Sequence, residues 1–312
     1  MNDKKVFCII VTYNAMKWID KCLESLRKSK EAAMPVIIDN GSTDDTREHI
    51  KKYYPEVYLI VNNENKGFGQ ANNQGIEYAY KMGATHFFLL NQDAWVKEDT
   101  ISKLIEVQDQ NNLDVVSPIQ LNGAGDSLDS SFCRAAFFNT KNVGLITDLL
   151  LKSVKEYYMV TSVPAACWMI ARSTIEEIGG FDPLYFHYGE DSHYCQRLKF
   201  HNKKIAIVTN SYMHHDRFVK GNIQIFNKLE MIRSLYMEYA DINKKGCRLN
   251  INRLKLHVYL ILYFLKSILT LDKELLSNTL WSTNQFYGNL LKIRYSRKEN
   301  KQVKPNWLNI KM

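Results

Sequence analysis

Two adjacent carboxylates stand out among the side chains that could do chemistry. In FHYGEDSHYCQRL, residues 186–198, Glu190 and Asp191 follow a glycine at the predicted start of a helix. Acidic side chains in a first turn complement the helix dipole, so the pair has a purely structural explanation. A carboxylate can also act as a general base. Because neighbouring residues on a helix point about 100° apart, only one of the two acids could face a given substrate atom.

More polar side chains follow three strand-like runs in the first third of the chain. They are Thr12, Tyr13 and Asn14 after the first run, Asp39 and Asn40 after the second, and Asn91, Gln92 and Asp93 after the fourth. Sheets of parallel strands bind ligands at the carboxyl ends of their strands. These positions therefore predict a polar ligand site at one edge of a sheet.

The elements that must position these residues alternate between strands and helices. The predicted strands are VFCIIVTY (6–13), PVIIDN (35–40), VYLIV (57–61), HFFLLN (86–91) and DVVSP (114–118). Amphipathic or capped helical segments lie between them. This alternation is typical of an α/β fold with an open, mostly parallel sheet and helices on both faces.

The rest of the chain is less regular. Further strands are predicted at 163–171 and 204–209, a loop at 122–131, and a short hairpin or mobile flap from there to about residue 159. Residues 221–312 are predicted to form a C-terminal helical region. Within it, LHVYLILYFL (256–265) is too short to span a bilayer. Its apolar residues surround the helix, which favours burial over a position on a membrane surface.

Composition narrows the classes of function. The six cysteines have no CxxC spacing and MNDKK leads directly into a strand, so we expect reduced thiols in a cytoplasmic protein without a cleaved signal. The net charge of +8 suits nucleic acid, an anionic membrane or a phosphorylated substrate. No recognition helix or RNA-binding aromatic motif supports nucleic acid. The first strand is not followed by the glycines of an NAD-binding fingerprint.

Five motifs, in this order, resemble those of family 2 glycosyltransferases, which have the GT-A fold. They are VTYN (11–14), IDNGSTDDT (38–46), NKGFGQANNQGI (65–76), LLNQDAWV (89–96) and GGFDPLYFHYGEDSHYCQRL (179–198). The branch that the chain resembles most contains bacterial rhamnosyltransferase-like enzymes. The resemblance covers about residues 1–220, and it implies a nucleotide-binding half (1–118) followed by an acceptor-binding half (119–220).

The resemblance implies an enzyme that transfers a sugar, with inversion, from a UDP- or dTDP-sugar to a hydroxyl of a saccharide or lipid-linked saccharide. Such reactions build bacterial surface polysaccharides such as capsule and O-antigen. Asp39 would accept the imide hydrogen of uracil or thymine, with capping of the GST turn as the structural alternative. The other expected nucleotide and donor contacts are Thr12, Tyr13, Asn14, Asn40, Lys66, Asn72 and Gln92. Tyr13 could instead belong to the core, and Lys66 could be an ordinary loop residue.

A divalent cation, Mg²⁺ or Mn²⁺, is also implied by the resemblance. The family's usual motif is Asp-x-Asp, whereas this chain has Asn91, Gln92 and Asp93, so only the last acid is retained. Asp93 is the expected ligand, with His214 as a second ligand and His215 as the competing choice. Hard cations need several oxygen ligands, so we expect weak affinity without substrate phosphates.

On the acceptor side, the resemblance implies that Asp191 is the general base and that Glu190 positions the acceptor. Trp168 and Tyr185 are candidates for stacking on an acceptor sugar, and both could be ordinary core residues. Arg197 is expected to anchor the helix that carries the two acids.

Two further alternatives follow from the sequence. The incomplete metal motif also fits a catalytically inactive partner that binds a sugar nucleotide or a polysaccharide. Basic residues near the C-terminus suit anionic lipid headgroups or a lipid diphosphate acceptor at the inner face of the cell membrane, or simply a solvated tail. They are Lys292, Arg294, Arg297, Lys298, Lys301 and Lys304. The helical region could equally bury its apolar face in a homodimer.

Overall fold

A computed structural model describes residues 4–137, 143–217, 228–245 and 251–310. Within them, nine strands form one sheet: β1 (Val6–Thr12), β2 (Ala33–Asn40), β3 (Tyr58–Asn62), β4 (His86–Leu90), β5 (Ala94–Val96), β6 (Val115–Asn122), β7 (Tyr157–Met159), β8 (Cys167–Ala171) and β9 (Ile205–His215). The strand order is β3-β2-β1-β4-β8-β6-β9-β5, and β7 pairs with β9. The predicted α/β fold is thereby confirmed.

Helices flank the sheet and form the C-terminal region. Within the same residues they are α1 (Ile19–Arg27), α2 (Thr46–Tyr53), α3 (Phe68–Lys81), α4 (Thr100–Asn111), α5 (Ser130–Phe137), α6 (Val143–Leu150), α7 (Arg172–Ile178), α8 (Glu190–Phe200), α9 (Lys228–Ala240), α10 (Ile251–Leu269), α11 (Lys273–Gly288) and α12 (Leu290–Glu299). β1 and β4 are almost completely buried along their length, as expected for parallel strands covered by helices on both faces.

Parallel pairing brings the predicted polar residues to one edge. β1 lies between β2 and β4, and all three run parallel. Thr12 at the end of β1 is the register partner of Asp39 at the end of β2. The loop after β4, with Gln92 and Asp93, starts at the same edge because β4 is parallel to β1.

The segment between residues 122 and 159 differs from the predicted hairpin or flap. It contains α5, α6 and the short strand β7, with residues 138–142 outside the described part of the chain. α5 forms because the Asp129 side chain accepts hydrogen bonds from the backbone N–H groups of Ser131 and Phe132, both at 2.9 Å. Phe132 and Ala136 then lie buried one helical turn apart.

The C-terminal helices have their own small core and return to the α/β part. Leu235, Tyr239, Leu260 and Phe286 belong to that core. The chain end packs against the α/β core through Leu308 and Ile310, and the Asn306 carbonyl accepts a hydrogen bond at 2.9 Å from the N–H of Gly180, in the loop after α7. The first seven residues of the predicted helical region, 221–227, lie outside the described residues.

The expected burial of the run 256–265 is wrong. In α10, Leu260 is buried, but seven apolar side chains form an exposed stripe: Leu254, Val258, Ile261, Leu262, Leu265, Ile268 and Leu269. A small helical unit has too little partner surface to cover a helix that is apolar all round. Among the described helices, none has the length and apolar character needed to cross a membrane.

Candidate active site

Two adjoining cavities contain six of the thirteen predicted site residues. The strand-tip cavity, of about 620 Å³, is lined by Tyr13, Asn40, Gln92, Asp93 and His215, among others. The helix cavity, of about 450 Å³, lies at the start of α8 and is lined by Glu190 and Asp191. Five residues line both cavities: Phe68, Asn91, His187, Tyr188 and Arg217. The two cavities therefore adjoin, and these five residues stand between them.

Tyr13 and Gln92 join the ends of two parallel strands. The Tyr13 N–H donates to Gln92 Oε1 at 2.7 Å, and Gln92 Nε2 donates back to the Tyr13 carbonyl at 3.2 Å. The Tyr13 side chain is left 46% exposed at the rim, so it is not a core residue. Its ring is an open flat surface beside the cavity.

Asn14 and Asn40 hold neighbouring loops in place. Asn14 has a φ of 52° and its Oδ1 accepts a hydrogen bond from the Thr43 N–H at 2.8 Å. Asn40 Oδ1 accepts from the Lys66 N–H at 3.0 Å, and Asn40 Nδ2 donates to Asn65 Oδ1 at 2.9 Å. Of the two asparagines, Asn40 also lines the strand-tip cavity.

Asp39 is completely buried behind this surface and lines neither cavity. Its Oδ1 accepts from the Ser42 N–H at 3.1 Å, as the capping alternative requires, and lies 2.5 Å from Arg47 Nε. Its Oδ2 has only the Thr12 hydroxyl, at 3.3 Å, among the contacts of the described residues. A buried carboxylate needs such a cationic partner, a role for Arg47 that sequence reasoning missed.

Lys66 and Asn72 are not in the cavity walls. Asn72 is buried within α3, where its Nδ2 donates to the Phe68 carbonyl at 3.0 Å. Gly67, directly after Lys66, has a φ of 82°, and a Cβ there would lie 2.1 Å from the Phe186 carbonyl oxygen. This glycine lets the loop before α3 pass against the loop before α8, which carries His187.

His215, rather than His214, faces Asp93. His215 Nε2 lies 3.2 Å from Asp93 Oδ1, and His215 Nδ1 lies 3.4 Å from Asp129 Oδ2, an ion-pair distance without good hydrogen-bond geometry. His214 points to the opposite side of β9 and stacks on Trp95, with ring centroids 5.5 Å apart. Adjacent side chains in a strand alternate between faces, so only one of the two histidines can face the cavity.

Charges around His215 favour its protonated form. Burial lowers the pKa of His215, but the carboxylates of Asp129 and Asp93 raise it by more, so the net shift is upward. Burial raises the pKa of Asp129, and the positive partners His215 and Arg217, with the Phe132 N–H, bring it below its ordinary value. The charged side chains of Asp93, His215 and Asp129 thus form a row that runs from the cavity wall into the protein.

The residues present fit a divalent cation only in combination with substrate. Within the described residues, no group of three His, Cys, Asp or Glu side chains is arranged to hold a metal ion. The Asp93 carboxylate is partly exposed in the strand-tip cavity, and His215 Nε2 is its neighbour. One carboxylate completed by phosphate oxygens and water is a common Mg²⁺ or Mn²⁺ environment.

The two acids at the start of α8 have different surroundings. Glu190 is only 7% exposed, and its Oε2 has no hydrogen-bond partner among the described residues. Burial, followed by the charge of Asp191, raises the pKa of Glu190 to about 7. Asp191 is more exposed, and its Oδ1 accepts from the Ser192 N–H at 2.6 Å. Among the described residues, Asp191 Oδ2 has no hydrogen-bond partner, and Asp191 lines the helix cavity.

Trp168 does not contact either cavity, so its predicted acceptor contact is wrong. It is completely buried in β8 and stacks on Phe181, with centroids 6.3 Å apart. Tyr185 is also buried, against His193. β8 is covered on both faces, so its tryptophan belongs to the core. Arg197 anchors α8 as expected, donating to the carbonyls of Ile178 and Gly180.

The loop before α8 is tied to the C-terminal helices. Asp182 Oδ2 accepts from the Ser296 hydroxyl and from Asn300 Nδ2, both at 2.6 Å, and Asp182 Oδ1 accepts from the Leu184 N–H at 2.9 Å. The same loop continues to His187, which lines both cavities. The C-terminal region therefore helps to hold the site.

Sequence reasoning also missed three arginines that line the helix cavity: Arg134, Arg217 and Arg233. Arg217 ends the stretch NSYMHHDR, of which only the histidines were considered as site residues. Arg134 lies on α5 and Arg233 on α9, two helices whose position relative to α8 is not visible in the sequence. Long-range packing alone brings them to the site.

The chain belongs to the glycosyl transferase family 2, whose family model matches residues 7–179. It is 26% identical over 175 residues to the low-salt glycan biosynthesis hexosyltransferase Agl10 of Haloferax volcanii, and spans only 55% of that relative's length. It is 22% identical to the dTDP-rhamnosyl transferase RfbF of Shigella flexneri, covering 70% of this chain and 72% of that one. It is 24% identical to the N-acetylglucosaminyl-diphospho-decaprenol L-rhamnosyltransferase of Mycobacterium tuberculosis, covering 75% and 83%.

Solved structures support the GT-A fold. S. aureus TarS in complex with UDP-GlcNAc aligns over 95% of this chain and 89% of that one, with a TM-score of 0.57 and 15% identity. The mannosyltransferase PcManGT from Pyrobaculum calidifontis, in complex with GDP-Man and Mn²⁺, aligns over 91% and 75%, with a TM-score of 0.56 and 15% identity. The predicted family and fold are confirmed.

Replacing Glu190 by glutamine should increase the free energy of unfolding more at pH 8 than at pH 5. The folded-state pKa of Glu190, about 7, lies above its ordinary value of 4.5, so its burial becomes destabilising as pH rises and the carboxyl ionises. From this shift, E190Q should gain about 3 kcal/mol at pH 8 and less than about 1 kcal/mol at pH 5. Urea unfolding at both pH values, with the exposed Glu98→Gln as control, measures this. An equal gain at both pH values would contradict it.

Proposed function

We propose that this family 2 glycosyltransferase transfers a sugar, with inversion, from a UDP- or dTDP-sugar to a hydroxyl of a saccharide or lipid-linked saccharide in bacterial surface polysaccharide synthesis. The observation that carries the proposal is that the cavity lined by Asp93 adjoins the cavity lined by Asp191. Inverting transfer needs a leaving group and a base on opposite sides of one carbon atom. A single base suffices, because a diphosphate leaves without protonation.

The strand-tip cavity is the proposed donor site. The exposed ring of Tyr13 offers a surface for the base, and the Gln92 amide lines the cavity beside it for the ribose or sugar. Asn40 lines the same cavity, but its amide is engaged by Asn65 and Lys66, so it acts by holding their loop. The indirect role of supporting the loops around the donor site is proposed for four residues that do not line the cavity: Thr12, Asn14, Lys66 and Asn72. Asp39 would accept the imide hydrogen of uracil or thymine through Oδ2. Because Asp39 is completely buried, this contact requires the residues that cover it to move when the nucleotide binds.

The leaving diphosphate is proposed to lie beside Asp93, His215 and Arg217. A bound Mg²⁺ or Mn²⁺ supplies charge neutralisation to the departing diphosphate. Asp93 would ligate it, with His215 in place of the expected His214; because only neutral imidazole is a ligand, metal binding would have to displace the proton that Asp93 and Asp129 favour on His215. The Arg217 guanidinium lines the same cavity. PcManGT, whose structure contains Mn²⁺ and GDP-Man, supports the use of a divalent cation by this fold.

In the helix cavity, Asp191 is the proposed base and Glu190 the acceptor-positioning residue. Asp191 would remove the proton of the attacking hydroxyl through the oxygen that Ser192 leaves free. Glu190, with a pKa of about 7, is partly protonated at neutral pH, so it can donate a hydrogen bond to an acceptor oxygen. A catalytically inactive binding protein would not need Glu190 and Asp191 in a cavity that adjoins the donor site. Their presence there therefore disfavours the inactive-partner alternative.

We expect Asp191→Asn to abolish transfer while donor binding persists. Removal of a general base typically costs about 10²–10⁴-fold in rate. Calorimetric titration with UDP and dTDP should give the same affinity for the variant and the parent, and Ser192→Ala is the matched control for local disturbance. Unchanged turnover in Asp191→Asn would reject this residue as base, and a parent that binds donor without transfer would support the inactive partner.

His215→Ala and His214→Ala separate the two adjacent histidines. Loss of His215 should raise the Mn²⁺ concentration for half-maximal activity by about 10–100-fold, as for other residues that support a metal site. His214→Ala should behave like the parent, because its ring stacks on Trp95 away from the cavity. Metal titrations of both variants measure this, and the reverse order would reject the assignment.

We also propose that the C-terminal region holds the enzyme at the cytoplasmic face of an anionic membrane. Two features support this: the exposed apolar stripe of α10 and the charge of residues 251–310, which contain ten Lys and Arg against three acidic residues. Lys255 and Lys266 flank the run 256–265 within α10. Arg297 cannot contribute, since it is buried and donates to the carbonyls of Tyr239 and Lys244.

Vesicle flotation tests the membrane proposal. The protein should float with phosphatidylglycerol vesicles and not with phosphatidylcholine vesicles. Leu262→Glu should weaken binding by about tenfold or more, since it removes the burial of one large apolar side chain, while Leu150→Glu on α6 should not. Binding that is indifferent to Leu262→Glu would contradict the proposal, as would a concentration-dependent dimer that the same change dissociates.

A further inference from the structure

The helix cavity has more positive charge than a hydroxyl acceptor requires. Arg134, Arg217 and Arg233 line it together with the two acids of α8. A neutral sugar hydroxyl needs one base and a few hydrogen-bond partners, and no guanidinium group. Guanidinium groups in the cavity wall that are not engaged elsewhere therefore point to an anion in the ligand of this cavity.

Arg217 is already engaged. Its Nη1 donates to the Ser131 hydroxyl at 2.7 Å, its Nε lies 3.6 Å from Asp129 Oδ2, and its side chain reaches the strand-tip cavity. In contrast, neither Arg134 nor Arg233 makes an ion pair within the described parts of the chain, and neither lines the strand-tip cavity. These two arginines are therefore left for the acceptor side.

Arg233 is placed at the junction of two cavities. Its Cγ would lie 3.0 Å from a Cβ at position 189, so the absence of a side chain at Gly189 lets the arginine stem pass beside the start of α8. Beyond it lies an aromatic trough of about 350 Å³, lined by Phe186, Tyr188, Tyr236, Trp281 and Lys292, with Arg233 in the shared wall. The trough thus adjoins the helix cavity at Arg233, so that one ligand could occupy both, from Asp191 to the trough.

We propose that Arg134 and Arg233 bind a phosphoryl group of the acceptor, and that the aromatic trough takes the part of the acceptor beyond that group. This inference rests on the proposed function and specifies its acceptor class. Guanidinium groups bind phosphate oxygens through paired hydrogen bonds, more specifically than an ammonium group does. A sugar 1-phosphate and a prenyl-linked saccharide share this chemistry.

Calorimetry on the full chain tests the proposal. The donor site is first filled with Mn²⁺ and with whichever nucleotide, UDP or dTDP, binds more tightly. The protein is then titrated with geranyl phosphate, glucose 1-phosphate, geraniol and methyl glucoside. The phosphorylated ligands should bind at least about tenfold more tightly than the neutral ones. Tighter binding of geranyl phosphate identifies a lipid-linked acceptor, and tighter binding of glucose 1-phosphate a soluble sugar phosphate.

Variants assign the effect to the two arginines. Arg233→Gln and Arg134→Gln should each lose about tenfold for the phosphorylated ligands, Arg233→Lys should lose less than Arg233→Gln, and the exposed Arg294→Gln on α12 should equal the parent. Their affinity for the nucleotide should stay unchanged, which proves folding and keeps this test separate from the donor assignment. Equal binding of neutral and phosphorylated ligands, or an unaffected Arg233→Gln, would overturn the proposal.

Discussion

Sugar transfer with inversion imposes one spatial constraint: the group that carries the departing negative charge and the group that accepts a proton must face the same carbon atom from opposite sides. The two adjoining cavities at the strand tips and at the start of α8 are arranged as that constraint requires. On one side lie Asp93, His215 and Arg217, and on the other lie Glu190 and Asp191. Asn91 and His187 line both cavities.

The two sides are kept in register by unlike means. The strand-tip side depends on parallel pairing, which sets Thr12 beside Asp39, and on the reciprocal hydrogen bonds of Tyr13 and Gln92. The helix side depends on tertiary contacts, in which Asp182 ties the loop before α8 to α12. The C-terminal region is therefore part of the site, because it also contributes Arg233 to the helix cavity.

Local patterns were sufficient to predict most of the α/β half and the position of both acids, because strand tips and helix starts have clear residue signatures. Side-chain direction was harder. The choice between His214 and His215 depends on the pairing of β9 with β5 and β6, including the register shift after Pro118, and none of this is visible in a single sequence. Trp168 is apolar in a strand covered on both faces, so no alternation reveals its direction.

Errors of exposure and of long-range contact have another cause. The apolar residues of α10 surround the helix, and the sequence does not show how little of that surface its neighbours cover. Arg134 and Arg233 reach the cavity only because α5 and α9 pack around α8, at large separations along the chain. Such contacts follow from the complete fold and not from any local period.

A crystal structure with Mn²⁺ and a non-transferable phosphonate analogue of the nucleotide sugar tests the central claim most directly. We expect the diphosphate beside Asp93 and Arg217, with the anomeric carbon next to Asn91 and its free face toward Asp191. A sugar ring away from Asn91, or an anomeric carbon whose open face is turned away from Asp191, would contradict the claim.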